Sequence, residues 1–177
     1  MKIIIHGGFF SESSTNMETK IAKQQSLQRI VKQSYEYLKT HSALDTVVYA
    51  VSLLEDDELF NAGIGSQIQS DGKIRMSAAL MDGETKKMSG VINIENVKNP
   101  IFVAKELMKV DDRILGGEGA IQFARDNGFE EFSTEIPQRR IEYLEKVAAT
   151  GQGTVGCVAL DRDGKLAVAT STGGKGF

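Results

Sequence analysis

The chain of 177 residues has no tryptophan, one cysteine, two prolines and two histidines, and only 7% of it is aromatic. His6 and His41 lie far apart, at a strand end and in a loop, which argues against a Ser-His-Asp triad. The one cysteine, Cys157, alternates with Val155 and Ala159 along an apolar run and reads as a small core residue, not a nucleophile. No stretch approaches the roughly twenty apolar residues of a membrane span. The opening Lys2-Ile3-Ile4-Ile5-His6 is too short for a secretory apolar region and no cleavage site follows it, so the default location is cytoplasmic. Net charge is −3 and the basic residues are scattered, which disfavours nucleic acid and suits a small polar partner. With 41% hydrophobic residues the chain can build one sizeable core and is not of the disordered class. No repeat, low-complexity segment or flexible linker divides it, so 1–177 reads as one domain.

Sheet-like and helical patterns alternate. After the first strand and a polar loop at 10–16, apolar residues Ile21, Leu27, Ile30, Val31, Tyr35 and Leu38 predict a helix over 18–39. Ser42 with Asp45 three residues on predicts an N-cap and a helix through Leu54. Strands are expected at 66–69, 73–80 and 88–94, with Asp82-Gly83 as a hairpin signal. Asn99-Pro100 is expected to cap a helix through Lys109. A strand at 113–115 leads through Gly116-Gly117-Glu118-Gly119 into a helix closed by Gly128. Those glycines suit an anion cradle or, more simply, a strand-to-helix turn. A further helix is expected over 139–150. Together these elements support a mixed α/β, or α+β, fold.

The segment Gly151-Gln152-Gly153-Thr154-Val155-Gly156, followed by Cys157-Val158-Ala159-Leu160-Asp161, carries the chemistry. Cleavage before Thr154 would put a hydroxyl nucleophile and a free amine on one residue, and the amine can serve as the base that the hydroxyl needs. Glycine at 153 tolerates the strained backbone of an attack on its own carbonyl. The same residues also fit a plain turn into a strand. A dinucleotide fingerprint is disfavoured because it needs a strand before the glycines and a helix after them, and here the order is reversed. Asp161-Arg162-Asp163-Gly164-Lys165 reads as a hairpin turn; as a calcium loop it fails, because its twelfth position is Thr172 where a glutamate is required. The hairpin brings Thr154, at the start of one strand, next to Thr172, at the end of the other.

Four blocks in order resemble the plant-type asparaginase and isoaspartyl peptidase group of N-terminal-nucleophile hydrolases. They are His6-Gly7-Gly8; the stretch from Leu54 through Glu55-Asp56-Asp57-Glu58-Leu59-Phe60-Asn61-Ala62-Gly63-Ile64 to Gly65; Gly153-Thr154-Val155-Gly156; and Thr170-Ser171-Thr172-Gly173-Gly174. Met81-Asp82-Gly83 and Asn99-Pro100 add to them. The resemblance spans nearly the whole chain and implies an αββα four-layer sandwich. It also implies self-cleavage between Gly153 and Thr154, leaving 1–153 as one subunit and starting a second subunit at 154.

By the same resemblance Thr154 attacks a side-chain amide or isoaspartyl carbonyl, Thr172 orients its hydroxyl and amine, Asn61 lies beside it, and Gly174 borders the substrate. No cofactor is implied for the chemistry. The backbone carbonyls of Leu54, Glu55, Asp57, Phe60, Ala62 and Ile64 are expected to wrap a sodium ion, where composition alone reads a solvated acidic helix end. The implied partners are a small amide or isoaspartyl dipeptide, a complementary β subunit and a second copy in an (αβ)2 homodimer. Related enzymes carry an arginine, an aspartate and a further threonine-glycine pair beyond the position of Phe177, so the substrate clamp is expected outside this chain. A glycosylasparaginase-like hydrolase and a non-catalytic homologue without the clamp are the alternatives. The linker before the cleavage site is expected to be short for the family.

Overall fold

A single mixed sheet positions the site. The computed structural model describes residues 1–8, 17–110, 113–145 and 153–174. In chain order its elements are β1 (Lys2–Gly7), α1 (Met17–Leu38), α2 (Ala43–Glu55), a 3-10 turn at Gly63–Gly65, β2 (Met76–Asp82) and β3 (Met88–Ile94). They continue as α3 (Pro100–Leu107), β4 (Ile114–Gly116), α4 (Gly117–Asp126), α5 (Pro137–Leu144), β5 (Val155–Leu160) and β6 (Leu166–Thr172). The six strands lie in the order β1-β5-β6-β2-β3-β4. Neighbours are antiparallel except β3 and β4, whose parallel pairing requires the crossover that α3 supplies.

One face of the sheet is the core. Val155, Cys157 and Ala159 of β5, Ala167 and Ala169 of β6, and Ala78 and Leu80 of β2 join Val47, Val48, Ala50, Val51 and Leu54 of α2 in one buried cluster. Small residues at 159, 167 and 169 let the helix lie close to the strands. Burial pushes the Cys157 thiol up to about 12, so it stays protonated and unreactive, as a core residue should.

The other face is apolar as well but open. Ile4 pairs with Val158, Val158 with Val168, Val168 with Met81, and Met81 with Met88, which makes one row across five strands. All five are exposed, Ile4 to 71%. A solvent-facing antiparallel sheet is ordinarily polar on that side.

Local signals account for most boundaries. The Ser42 hydroxyl accepts from the Asp45 N–H at 3.1 Å and donates to its carboxylate at 2.7 Å, closing the expected cap on α2. Gly164 at φ 77° makes the hairpin turn between β5 and β6.

Three expectations are corrected. Residues 66–69 form no strand, because Ser66 N–H bonds back to Gly63 and Gln67 N–H bonds to the Asn61 side chain, leaving no ladder to join. Asn99 does precede α3, yet its side chain turns to the carboxylate of Asp56 at 3.1 Å instead of capping the helix. The last helix starts earlier than expected, at Pro137, and its described part ends at Leu144. The loop at 10–16, the segment 146–152 with Gly151 and Gln152, and 175–177 lie outside the described residues. No described helix is long and apolar enough to cross a membrane.

Candidate active site

The site forms where three strand ends meet. Val155 opens β5 and pairs with Gly7 on one side and Ser171 on the other. Thr154 stands one residue earlier, and extending the register by one step sets it opposite Thr172. Strand alternation decides which face they share. Val155, Cys157, Ala169 and Ser171 are buried against the helices, so Thr154, Thr170 and Thr172 fall on the open face, as does the exposed His6 of β1.

Hydrogen bonds tie this junction together. The Thr172 hydroxyl donates to the Gly153 carbonyl at 3.4 Å, long for such a bond, and accepts from the Gly174 N–H at 3.1 Å. The family resemblance implies that Thr172 orients the Thr154 hydroxyl and amine; in the structure its hydroxyl sits on the carbonyl of the Gly153–Thr154 peptide bond. The Thr170 hydroxyl donates to the Val155 carbonyl at 2.9 Å. His6 Nδ1 lies 2.8 Å from the Thr154 carbonyl and 3.2 Å from the Gly8 N–H. A carbonyl only accepts, so the shorter contact requires a proton on Nδ1, and the Gly8 N–H cannot then donate to the same nitrogen. Gly8 has φ 97°, and a Cβ there would meet the Gly153 Cα at 2.9 Å. Only glycine lets β1 end this close to the Gly153–Thr154 bond.

Asn61 reaches the same place from the loop after α2. Its amide nitrogen donates to the Gly174 carbonyl at 2.8 Å, its side-chain oxygen accepts from the Gln67 N–H at 3.0 Å, and its own carbonyl accepts from the Gly173 N–H at 2.9 Å. Buried and held through both its amide nitrogen and its oxygen, the Asn61 side chain keeps one orientation.

The acidic run that closes α2 is divided: Asp56 and Glu58 are exposed, whereas Glu55 and Asp57 are not. The Asp56 carboxylate pairs with Lys98 at 3.0 Å, and Asp57 pairs with Arg29 at 3.0 Å and with the Ser26 hydroxyl. Glu55 is fully buried. Burial pushes its carboxyl up to about 8, against the Ser171 hydroxyl, the Asn99 amide and the Ile101 N–H, which pull it down.

Two glycines shape the backbone of the expected cation loop. A Cβ on Gly63 would fall 2.1 Å from the Glu55 carbonyl oxygen, and one on Gly65 would fall 2.1 Å from that of Phe60. The glycines therefore leave room for carbonyls that turn inward. The Asp57 and Ala62 carbonyls accept from Phe60 and Gly65 N–H groups and keep a second lone pair each. Carbonyls at a helix C-terminus favour a cation. The backbone at Glu55, Asp57, Phe60 and Ala62 therefore fits the monovalent ion that the resemblance implies for these carbonyls together with those of Leu54 and Ile64. Among the described residues no group of three or more His, Cys, Asp or Glu side chains could hold a metal.

The structure thus brings Gly153, Thr154, Thr172 and Gly174 together and joins Asn61 to them through Gly173 and Gly174. Sequence reasoning missed two contributors. His6 reads as a structural strand-end histidine, and the signal that could have found it is its place beside Gly7-Gly8, at a strand end that the fold pairs with Val155. The Glu55 side chain was hidden inside an acidic run that looks solvated.

The profile of the family described as Asparaginase matches residues 1–150 and 137–177. An isoaspartyl peptidase/L-asparaginase of Synechocystis sp. is 43% identical over 99% of this chain and 59% of its own length. One of the same name from Nostoc sp. is 40% identical over 99% of this chain and 62% of its own length. A plant-type L-asparaginase of Pyrococcus furiosus is 39% identical over 97% of this chain and 63% of its own. The chain spans about three fifths of the length of these curated relatives. With the family profile matched along the chain and relatives 39–43% identical over nearly all of it, this chain belongs to the asparaginase family.

Proposed function

We propose that this chain carries the nucleophile of an amidohydrolase of the L-asparaginase and isoaspartyl peptidase type, released by self-cleavage between Gly153 and Thr154. One observation carries the reading: the Thr172 hydroxyl lies on the Gly153 carbonyl, across the register from Thr154. In the cleavage step the Thr154 hydroxyl oxygen bonds to the Gly153 carbonyl carbon, the C–N bond breaks and the hydroxyl proton passes to the departing nitrogen. Water then hydrolyses the ester, leaving a Gly153 carboxylate and a free Thr154 amine. The Thr172 hydroxyl donates to the carbonyl oxygen as charge builds there.

The freed amine, with an ordinary pKa of about 7.7–8.0, is partly neutral near pH 7 and accepts the proton of its own hydroxyl. The same oxygen then attacks a substrate's side-chain carbonyl and expels ammonia or a peptide amine, and water releases the acid. Asn61, fixed by Gly174 and Gln67, supports the polar wall beside the nucleophile. The relatives' names supply the substrate class, L-asparagine and β-aspartyl dipeptides. The open row from Ile4 to Met88 supports a second sheet packed on this one, as in an αββα sandwich. A sodium ion held by the six loop carbonyls would neutralise the dipole end of α2 and stiffen the loop that presents Asn61.

Mass spectrometry and N-terminal sequencing of the purified full chain test the proposal. Two fragments divided after Gly153 and hydrolysis of either substrate are expected. Thr154→Ala removes both activities and Thr154→Ser keeps part of each. An uncleaved chain that hydrolyses neither substrate overturns the reading in favour of a non-catalytic homologue that retains the fold.

A further inference from the structure

Glu55 and Ser171 form a buried polar pair that the proposed chemistry leaves unused. Glu55 is the last residue of α2 and has no exposed surface. One carboxylate oxygen accepts from the Ile101 N–H, near the start of α3, at 3.2 Å. The other has no hydrogen-bond partner, and neither does the Ser171 hydroxyl, although the two side chains are near enough to interact. Buried polar atoms left unpaired are costly, and a small turn of the serine hydroxyl satisfies both at once. A leucine in the same space would leave the Ile101 N–H without its acceptor, so the carboxyl serves the start of α3 with one oxygen and has the other to spare for Ser171.

The pair touches both arms of the site. Ser171 sits between Thr170 and Thr172, whose hydroxyls reach across to the Val155 and Gly153 carbonyls. Alternation turns Ser171 toward the helices and the two threonines toward the open face, so a displacement of Ser171 moves both threonines. On the other arm, the returning loop passes close to Glu55: a Cβ on Gly63 would fall 2.1 Å from the Glu55 carbonyl oxygen and 2.6 Å from its Cβ, so the loop lies against the backbone that this side chain anchors. That loop carries Asn61.

We propose that the Glu55 side chain is a positioning residue, bonded to the Ser171 hydroxyl across the α2–β6 interface and thereby setting Thr172 and Asn61 relative to Thr154. The inference rests on the hydrolase reading above.

Glu55→Gln, Glu55→Leu and Ser171→Ala in the full chain, with Thr154→Ala as the inactive control, test it. The measurements are kcat and KM on L-asparagine and a β-aspartyl dipeptide, and Tm by circular dichroism. Glutamine keeps the acceptor for Ile101 and a donor toward Ser171. The expected result is that Glu55→Leu loses about tenfold or more in kcat with KM within about twofold, since small misplacements cost rate more than binding. Glu55→Gln recovers kcat to within about threefold of the parent. If Glu55→Leu does not fold, Ser171→Ala decides: lowered kcat at parental Tm supports the proposal and parental kcat overturns it. A Glu55→Leu chain as active as the parent, or one whose loss glutamine does not recover, also overturns it. A parent inactive on both substrates sinks the hydrolase reading together with this inference, whereas an active parent with unaffected Glu55 and Ser171 variants sinks this inference alone.

Discussion

One methyl group at Gly173 is enough to disturb the wall beside the Thr154–Thr172 junction. A Cβ there would fall 2.4 Å from the Asn61 side-chain oxygen and 2.5 Å from the Ser66 Cβ, both buried and neither at the free end of a long side chain. The Gly173 N–H also holds the Asn61 carbonyl at 2.9 Å, so the backbone cannot retreat without losing that bond. Gly173→Ala is therefore expected to cost about 1–3 kcal/mol in urea unfolding, the range for overpacking a filled interior. It should also lower turnover by displacing Asn61. Unchanged stability and turnover would mean that the Asn61 loop is slack, contrary to its three hydrogen bonds. Thr154 and Thr172 were legible in the sequence because a hairpin of fixed length separates them. The bonds from Asn61 to Gly173 and Gly174, and from His6 to Thr154, were not, because they join positions that only the folded sheet brings together.

Among the elements, the β5–β6 hairpin matters most, since it carries both threonines, and Asp161 anchors its turn. One Asp161 oxygen accepts from the Asp163 and Lys165 N–H groups at 3.0 and 2.9 Å, while the other accepts from the Ala43 N–H at 3.1 Å, where α2 begins. A single carboxylate therefore shapes the turn and fastens the hairpin to the helix packed beneath it. Burial alone would raise the Asp161 pKa, but the Lys165, Ala43 and Asp163 N–H groups, with the Lys165 charge, hold it below its ordinary value of 3.8. A lowered folded-state pKa stabilises the fold above the unfolded-state value, and that contribution is lost as pH falls through the folded one. Asp161→Asn sets an amide N–H against a backbone N–H, at Ala43 or in the turn, and is expected to cost about 1–3 kcal/mol at pH 7. The gap between variant and parent should begin to narrow as pH falls through 3.8, where the unfolded chain's carboxylate takes up its proton, and close further below, where the folded one does. Denaturant titrations at the two pH values check both parts, and equal stability at pH 7 would show the turn to be independent of α2. This hairpin and the capped start of α2 were legible because a short local signal specifies each. The segment 66–69 was not: Ser66 and Gln67 look like strand residues, yet their N–H groups are spoken for by Gly63 and Asn61, a tertiary choice invisible in local pattern.

For the molecule as a whole, the unbalanced sheet is the informative feature. Helices bury one face, and the other presents Ile4, Val158, Val168, Met81 and Met88 in register, so the row is contiguous and not a scatter of single exposed residues. With strands about 4.8 Å apart, five side chains in line span roughly 20 Å, wide enough to seat another sheet. The mixed α/β class was legible in the sequence, but this row was not, because its members come from five strands whose order only the fold reveals. Apolar surface of this extent marks an interaction face or an aggregation liability. The 177-residue chain by itself is therefore expected to bind a hydrophobic dye and to associate with rising concentration in sedimentation. Val158→Lys with Val168→Lys, both at already exposed positions, should suppress dye binding and association together while shifting stability by no more than about 0.5 kcal/mol, as exposed substitutions do. If the parent chain sediments as a monomer and takes up no dye, the row is already covered and the second layer loses its support. If the lysines unfold the chain, these valines belong to the core of this unit and the sheet does not have the open face described.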